Sequence, residues 1–336
     1  MERMQGRRLQ CVAAGQVEVA PFAVGVVGDD EIVVQNAFTA VSVGTEVYNY
    51  LHGGEPGRPA RFPRPTGYCN AGTVVAVGAA VADVAVGDQV AGEGHHASHS
   101  LLAKYHLVPD GTDLQEAAFL VMGAIALHGI RKAAIELGTS TVVLGLGMVG
   151  QLALSLAQLS GATPVLGLDL DEGRLQRAQG RGANAVASPE AVDAVEWVRQ
   201  HSGADGADLV IEATGKPAVY PLAVRLARMG GRLLALGSPR GSVEMDFFSE
   251  VHEREVDIVG AHQPKTPRQA HIYYPWSQQR DRGLLLQLMQ QGRLPVADLI
   301  SHRARPEDCQ DIYQMLAQRP QEGMGVVFDW GEDAPC

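Results

Sequence analysis

The stretch that most restricts the fold is TVVLGLGMVGQLALSLAQLSG, residues 141–161. An apolar run is broken there by Gly145, Gly147 and Gly150, then continues without glycine to Ser160. The segment carries no charge and has about the length of a membrane span, yet its glycines cluster in the first half. A buried strand, a glycine turn and a packed helix account for that pattern better. In Gly145-Leu146-Gly147-Met148-Val149-Gly150 the first glycine permits a tight turn and the second lets a pyrophosphate approach the backbone. The third lets the helix pack close to the strand, and the first helical amides meet the phosphates. By itself the spacing is also compatible with glycines that serve tight packing alone.

The next strand ends in Asp169, 19 residues beyond Gly150, near the spacing of about 20 expected for an acid that holds a ribose. A carboxylate there accepts hydrogen bonds from both ribose hydroxyls and repels a 2′-phosphate, so NAD is expected over NADP. The plainer reading of Asp169 is a solvated acid at a strand end. Asp171 and Glu172 add negative charge nearby, and Arg174 either covers the adenosine ribose or is a helix-surface arginine.

Around this motif, strands and helices alternate from about residue 116 to 262. Expected strands are Thr141–Leu144, Pro164–Leu168, Ala185–Ala187, Leu209–Ala213, Arg232–Leu236 and Val256–Val259. Expected helices include Leu152–Leu159, Arg174–Gly180 and Ala218–Met229. Apolar strands alternating with helices imply a parallel sheet covered on both faces. Residues 1 to about 115 instead read as strands and glycine turns, with a first strand from Val12 and β-type runs at Val74–Gly78 and Val84–Ala91. The Gly- and Pro-rich segment Leu51–Pro65 is a candidate lid. The tail reads as helices near Gly283–Gln291 and Pro306–Gln318, then a closing strand at Gly325–Trp330.

A formal charge of −11 argues against a nucleic-acid groove or an anionic membrane surface as the main partner. With 46% hydrophobic residues the chain can bury a sizeable core, which excludes intrinsic disorder. The N-terminal apolar stretch breaks at Gln16 and Glu18, too early for a signal peptide. The four cysteines, Cys11, Cys69, Cys309 and Cys336, form no CxxC pair, so neither a disulfide framework nor a Cys-rich zinc site is expected. A cytoplasmic protein is the expectation.

Several segments in order resemble the medium-chain dehydrogenase/reductase superfamily of zinc alcohol and polyol dehydrogenases. They are VGTE (Val43–Glu46), TGYCNAGTVVAVG (Thr66–Gly78), VGDQVA (Val86–Ala91), ALHGI (Ala126–Ile130), the glycine motif, IEATG (Ile211–Gly215) and GGRLLALGS (Gly230–Ser238). The resemblance runs nearly end to end. It implies an α/β fold in which a Rossmann doubly wound parallel sheet domain is inserted in a β-rich GroES-like catalytic domain. The expected boundaries are 1–120, 121–262 and 263–336. It also implies hydride transfer at nicotinamide C4, with Thr214, Gly215, Gly237 and Ser238 joining the cofactor-binding residues.

At the positions matching the zinc ligands of that superfamily, this chain has Val43, Tyr68 and Val121, which do not make a zinc site. A zinc-free branch, with no metal ligand, is therefore expected. Thr45 matches the hydroxyl that relays the proton. Tyr68 is either an acid/base or an aromatic that fills the vacated metal volume, and Cys69 is expected to pack. In GEGHHASHSLLAKYH, a continuous strand puts His95 and His99 on one face and His96 and His106 on the other. His95, with His96 behind it, is a candidate base or oxyanion partner; the alternative is surface or core histidines. His128 is expected to be structural, His262 to lie near the nicotinamide, and Tyr273, Tyr274 and Trp276 to pack or to wall the substrate.

The expectation is a zinc-independent, NAD-dependent dehydrogenase of a secondary alcohol or ketone. A polyol, cyclitol or sugar-like substrate would meet Glu46, Asn49, Val121 and His262, and the chain would form a homodimer or homotetramer. Rival readings are an enoyl or quinone reductase, a catalytically silent nucleotide-binding protein, and a metal held by the histidines.

Overall fold

The computed structural model describes residues 4–54 and 57–331; Pro56 of the proline-rich segment and Cys336 lie outside them. The chain divides into two compact units, residues 1–122 with 282–336, and residues 123–281. The segment 263–281, expected with the C-terminal part of the β-rich domain, groups with the second unit instead.

The second unit holds a six-stranded parallel sheet. From edge to edge its strands are Ala185–Ala187, Val165–Leu168, Thr141–Leu144, Ala207–Glu212, Ala227–Ala235 and Asp257–Gly260. Numbered along the chain, this is the order 3-2-1-4-5-6 of a doubly wound nucleotide fold. Thr141–Leu144 and Val165–Leu168 are buried at every residue, as strands covered by helices on both faces must be. Residues 141–161 resolve into a central strand, a glycine turn and the helix Met148–Leu159. No helix among the described residues is long and apolar enough to cross a membrane.

The first unit carries a seven-stranded, mainly antiparallel sheet built on Ile32–Val41, which pairs with Asn70–Val77, His99–Leu102 and Gly325–Asp329. A smaller sheet is a hairpin of Gln5–Ala13 and Gln16–Ala23, to which Arg64–Pro65 adds. The first strand thus begins at Gln5 rather than Val12. The chain reverses at Gly15, whose φ of 74° suits a residue without a Cβ.

Three other expectations shift. Of the 84–91 run only Gln89–Ala91 lies in a strand, which ends at Gly92, because the Asp88 carboxylate accepts the Ala85 amide and closes a turn before it. The helix expected over Ala218–Met229 spans Tyr220–Leu226, and the chain enters its next strand at Ala227. The proposed lid is anchored at both ends: Leu51 and His52 finish the helix Val43–His52, and Arg64–Pro65 pairs with Gln10–Cys11.

Candidate functional site

At the carboxyl ends of the parallel strands, the three glycines of the motif do three different things. Gly145 takes a φ of 93°, and a Cβ there would stand 2.6 Å from Thr214 Cγ2. A Cβ on Gly150 would overlap the Gly145 carbonyl, whereas one on Gly147 meets nothing within 4 Å. The space over Gly147 is thus open to a ligand, and Gly147 is also the N-cap of the Met148–Leu159 helix, without a side-chain cap. The leading amides of that helix lack intrahelical partners and carry its positive end. These residues fit a dinucleotide pyrophosphate.

Asp169 bounds the same edge. One of its oxygens accepts the Leu146 amide at 2.6 Å and the other accepts the Asp171 amide at 2.9 Å. Arg174 Nη1 stands 3.9 Å away, while the Arg174 amide is capped by Asp171. Glu212, at the end of the neighbouring strand, is buried and accepts the amides of Thr214 and Gly215 at 2.7 and 3.1 Å. Burial pushes its carboxyl above the usual range, and those hydrogen bonds oppose the rise. Gly215 and Gly237 pack backbone to backbone, with Ser238 exposed beside them. His262 lies just beyond the edge strand, exposed.

The first unit gathers the other candidates around the start of the helix Val43–His52. Glu46, on its first turn, is 3% exposed. It accepts from the Ser42 amide at 2.8 Å, from His96 Nε2 at 2.9 Å and from the Tyr313 hydroxyl at 2.5 Å. Burial alone would raise its pKa, but the His96 charge and these hydrogen bonds hold the carboxyl below its usual value. Such a pair is costly to bury and costlier to break.

His96 is fully buried, and its ring meets Phe328 edge-on at 5.2 Å. It serves the interior of this unit, which corrects the expectation of a substrate-facing base; Glu46, expected at substrate, is likewise committed inward. His95 is exposed, and its Nδ1 donates to the Gly67 carbonyl at 2.8 Å. Because a carbonyl only accepts, the neutral ring keeps Nε2 as its acceptor. The expected four-histidine alternation fails because residues 93–98 form a bend and a bridge, and the strand begins only at His99. His106 is buried, and desolvation, helped by the nearby Arg282 charge, pulls its pKa down to about 4.

Tyr68, half-buried and one residue past Gly67, donates its phenol hydrogen to Ser42 Oγ at 2.5 Å. The Thr45 side chain reaches the same phenol. Burial first, then the Cys69 thiol, push the phenol up, and the Ser42 hydrogen bond works against them. Cys69 is fully buried and free. Asn49, further along the Val43–His52 helix, has a buried side-chain oxygen without a hydrogen-bond partner.

Zinc does not fit this set. Val43 and Val121 offer no donor atom, Val121 is 3% exposed, and the Tyr68 phenol is committed to Ser42. Among the described residues, no three His, Cys, Asp or Glu side chains come together as a metal site. In the second unit His128 is buried, with Nδ1 2.9 Å from Thr266 Oγ1. Trp276 lies beneath two guanidinium groups, Arg131 at 3.3 Å and Arg280 at 4.4 Å from its ring centre, while Tyr273 is exposed. Sequence reasoning missed Ser42 and Tyr313. Neither sits in a motif, and only the pairing of distant segments brings them to Tyr68 and Glu46.

The family described as zinc-binding dehydrogenase matches residues 148–274. The chain is 29% identical over 287 residues to D-guloside 3-dehydrogenase of Escherichia coli, covering 81% of each chain. It is 27% identical over 309 residues to sorbitol dehydrogenase 2 of Saccharomyces cerevisiae, covering 80% of this chain and 83% of that one. Among solved structures, galactitol-1-phosphate dehydrogenase of Escherichia coli superposes with a TM-score of 0.83 at 19% identity, covering 96% of this chain and 99% of the other. That structural likeness bears on the fold alone. Together with the six-stranded nucleotide sheet, these likenesses make the chain similar to the medium-chain dehydrogenase/reductase superfamily of zinc-binding dehydrogenases, and the dehydrogenase relatives mark it as an oxidoreductase acting on CH–OH groups with a nicotinamide dinucleotide.

Proposed function

We propose that the protein is a zinc-independent dehydrogenase that interconverts a secondary alcohol and its ketone on a polyol, cyclitol or sugar-like substrate, using NAD. The observation that carries this reading is the Tyr68 phenol, hydrogen-bonded to Ser42 where the superfamily pattern expects a metal-binding histidine. The names of the relatives, which include guloside, sorbitol and xylulose enzymes, support the substrate class. Asp169 at the glycine turn supports NAD over NADP, since its charge would repel a 2′-phosphate.

The bound nicotinamide would supply or accept the hydride. The chain's own residues do the rest. The motif glycines and the Met148 helix terminus hold the pyrophosphate, Asp169 the ribose, and Thr214, Gly215, Gly237 and Ser238 shape the remaining carboxyl edge. Tyr68 exchanges the hydroxyl proton with the substrate oxygen, with Thr45 beside it. His95 Nε2 binds a substrate hydroxyl. The buried free thiols of Cys11, Cys69 and Cys309 fit a cytoplasmic protein, and the exposed edge strand Asp257–Gly260 suits a homodimer or homotetramer.

A turnover panel of polyols and their ketones against enones, with both cofactors, tests this reading. NAD-linked polyol oxidation that survives a chelator is expected. NADPH-only enone reduction would establish the reductase alternative instead, and activity lost to a chelator with stoichiometric zinc in the protein would end the zinc-free claim.

A further inference from the structure

We propose that Ser42 is the positioning residue for proton transfer by Tyr68, aiming the phenol and then stabilising the phenolate that remains after the proton has left. This rests on Tyr68 being the acid of the proposed ketone reduction.

A serine at a helix N-cap ordinarily turns its oxygen onto the amides of the first turn. Ser42 holds the N-cap of the Val43–His52 helix, yet its side chain makes no cap hydrogen bond. Its Oγ faces the Tyr68 phenol at 2.5 Å instead. The cap function has been given up at a cost of roughly 1 kcal/mol, and what the hydroxyl does in return is hold one phenol.

The backbone of Ser42 is fixed from both sides. Its carbonyl accepts the Thr45 and Glu46 amides at 3.1 and 2.9 Å, and its amide donates to Glu46 Oε1 at 2.8 Å. Glu46 in turn is pinned by His96 and Tyr313, both buried. The buried group that contains two of the expected site residues thus becomes the frame that fixes Ser42. The positive end of the helix lies at the same point and favours negative charge on the phenol oxygen.

The step balances without a metal. A bound reduced nicotinamide would supply the hydride, and the negative charge then falling on the former carbonyl oxygen is what the chain's own residues must neutralise. The Tyr68 O–H bond breaks, its proton goes to that oxygen, and the electron pair stays on the phenolate. The Ser42 hydroxyl rotates to donate its hydrogen to the phenolate, and solvent later returns the proton.

Ser42→Ala and Ser42→Thr, made in the full chain, test this. Ala is expected to lower kcat for ketone reduction about tenfold to a hundredfold, with KM for ketone and cofactor within about twofold of the parent. Ultraviolet titration, with a Tyr68→Phe variant subtracted to isolate this phenol, should show it ionising at higher pH once the Ser42 hydrogen bond is gone. Thr, which keeps the hydroxyl, should restore both. An unchanged kcat and phenol titration in a folded Ser42→Ala protein overturns the proposal. A parent that reduces no ketone of the panel would overturn the functional reading, and the titration would still report separately whether Ser42 governs the phenol.

Discussion

The Asp169 carboxylate accepts the Leu146 amide at 2.6 Å, so the acid that ends the second strand of the parallel sheet is tied to the glycine turn that ends the first. Its position is therefore set by the turn that would receive the cofactor. On the proposed reading, replacing Asp169 by Ala removes both the ribose acceptor and the charge that opposes a 2′-phosphate. We expect kcat/KM for NAD to fall about 10- to 100-fold, the worth of hydrogen bonds to a charged group. The ratio of NAD to NADP should narrow at the same time. Steady-state kinetics with both cofactors checks this.

The motif glycines should separate by assay. Gly150→Ala forces a methyl into the Gly145 carbonyl and is expected to cost 1–3 kcal/mol or more of stability, on the order of other overpacking changes. Gly147→Ala meets open space and should melt within about 0.5 kcal/mol of the parent, while dinucleotide binding falls sharply because the methyl occupies the approach to the pyrophosphate. Denaturant melts and cofactor titration, run side by side, distinguish the two.

His106 predicts an acid-sensitive fold. Its imidazole has a folded pKa of about 4 against 6.5 for the ordinary side chain, so the unfolded chain takes the proton first. Stability is fully present above about 6.5 and is lost as pH falls from there toward 4. The loss contributed by this group reaches about 3 kcal/mol. Urea melts across that window should show the decline in the parent and a shallower one in His106→Gln. Equal slopes in the two proteins would remove His106 as the cause.

Tyr68→Phe keeps the ring and deletes the proposed acid. We expect turnover of the best ketone to fall about 10²- to 10⁴-fold, as for loss of a general acid, with little change in cofactor KM. Tyr68→His should not recover the rate when zinc is added, because Val43 and Val121 still offer no donor. Rates of the two variants with and without zinc decide the point.

How much of this was legible in the sequence follows from the range of the forces involved. The glycine motif could be read from its spacing over six residues, although only Gly150 answers a near neighbour, the Gly145 carbonyl, while Gly145 meets Thr214 far along the chain and Gly147 faces open space; the parallel sheet followed from strands and helices in alternation. The strand alternation of the histidines does not hold because the 93–98 bend depends on pairing with other segments. His96 donates its amide to the Thr66 carbonyl, and Leu9 donates to the His96 carbonyl. Those contacts turn His96 inward and leave His95 outside, a distinction that a two-residue alternation cannot make.

The sequence by itself determined the nucleotide fold, the open glycine turn, the acid that ends the next strand, and the lack of donor atoms at Val43 and Val121. All of these are properties of a residue and its near neighbours along the chain. Tertiary structure alone decided what surrounds the Tyr68 phenol. Ser42 meets it across 26 residues, and Tyr313 reaches Glu46 across 267. Which buried hydroxyl or carboxylate finds which partner depends on sheet register and on the need to satisfy every polar group taken out of water.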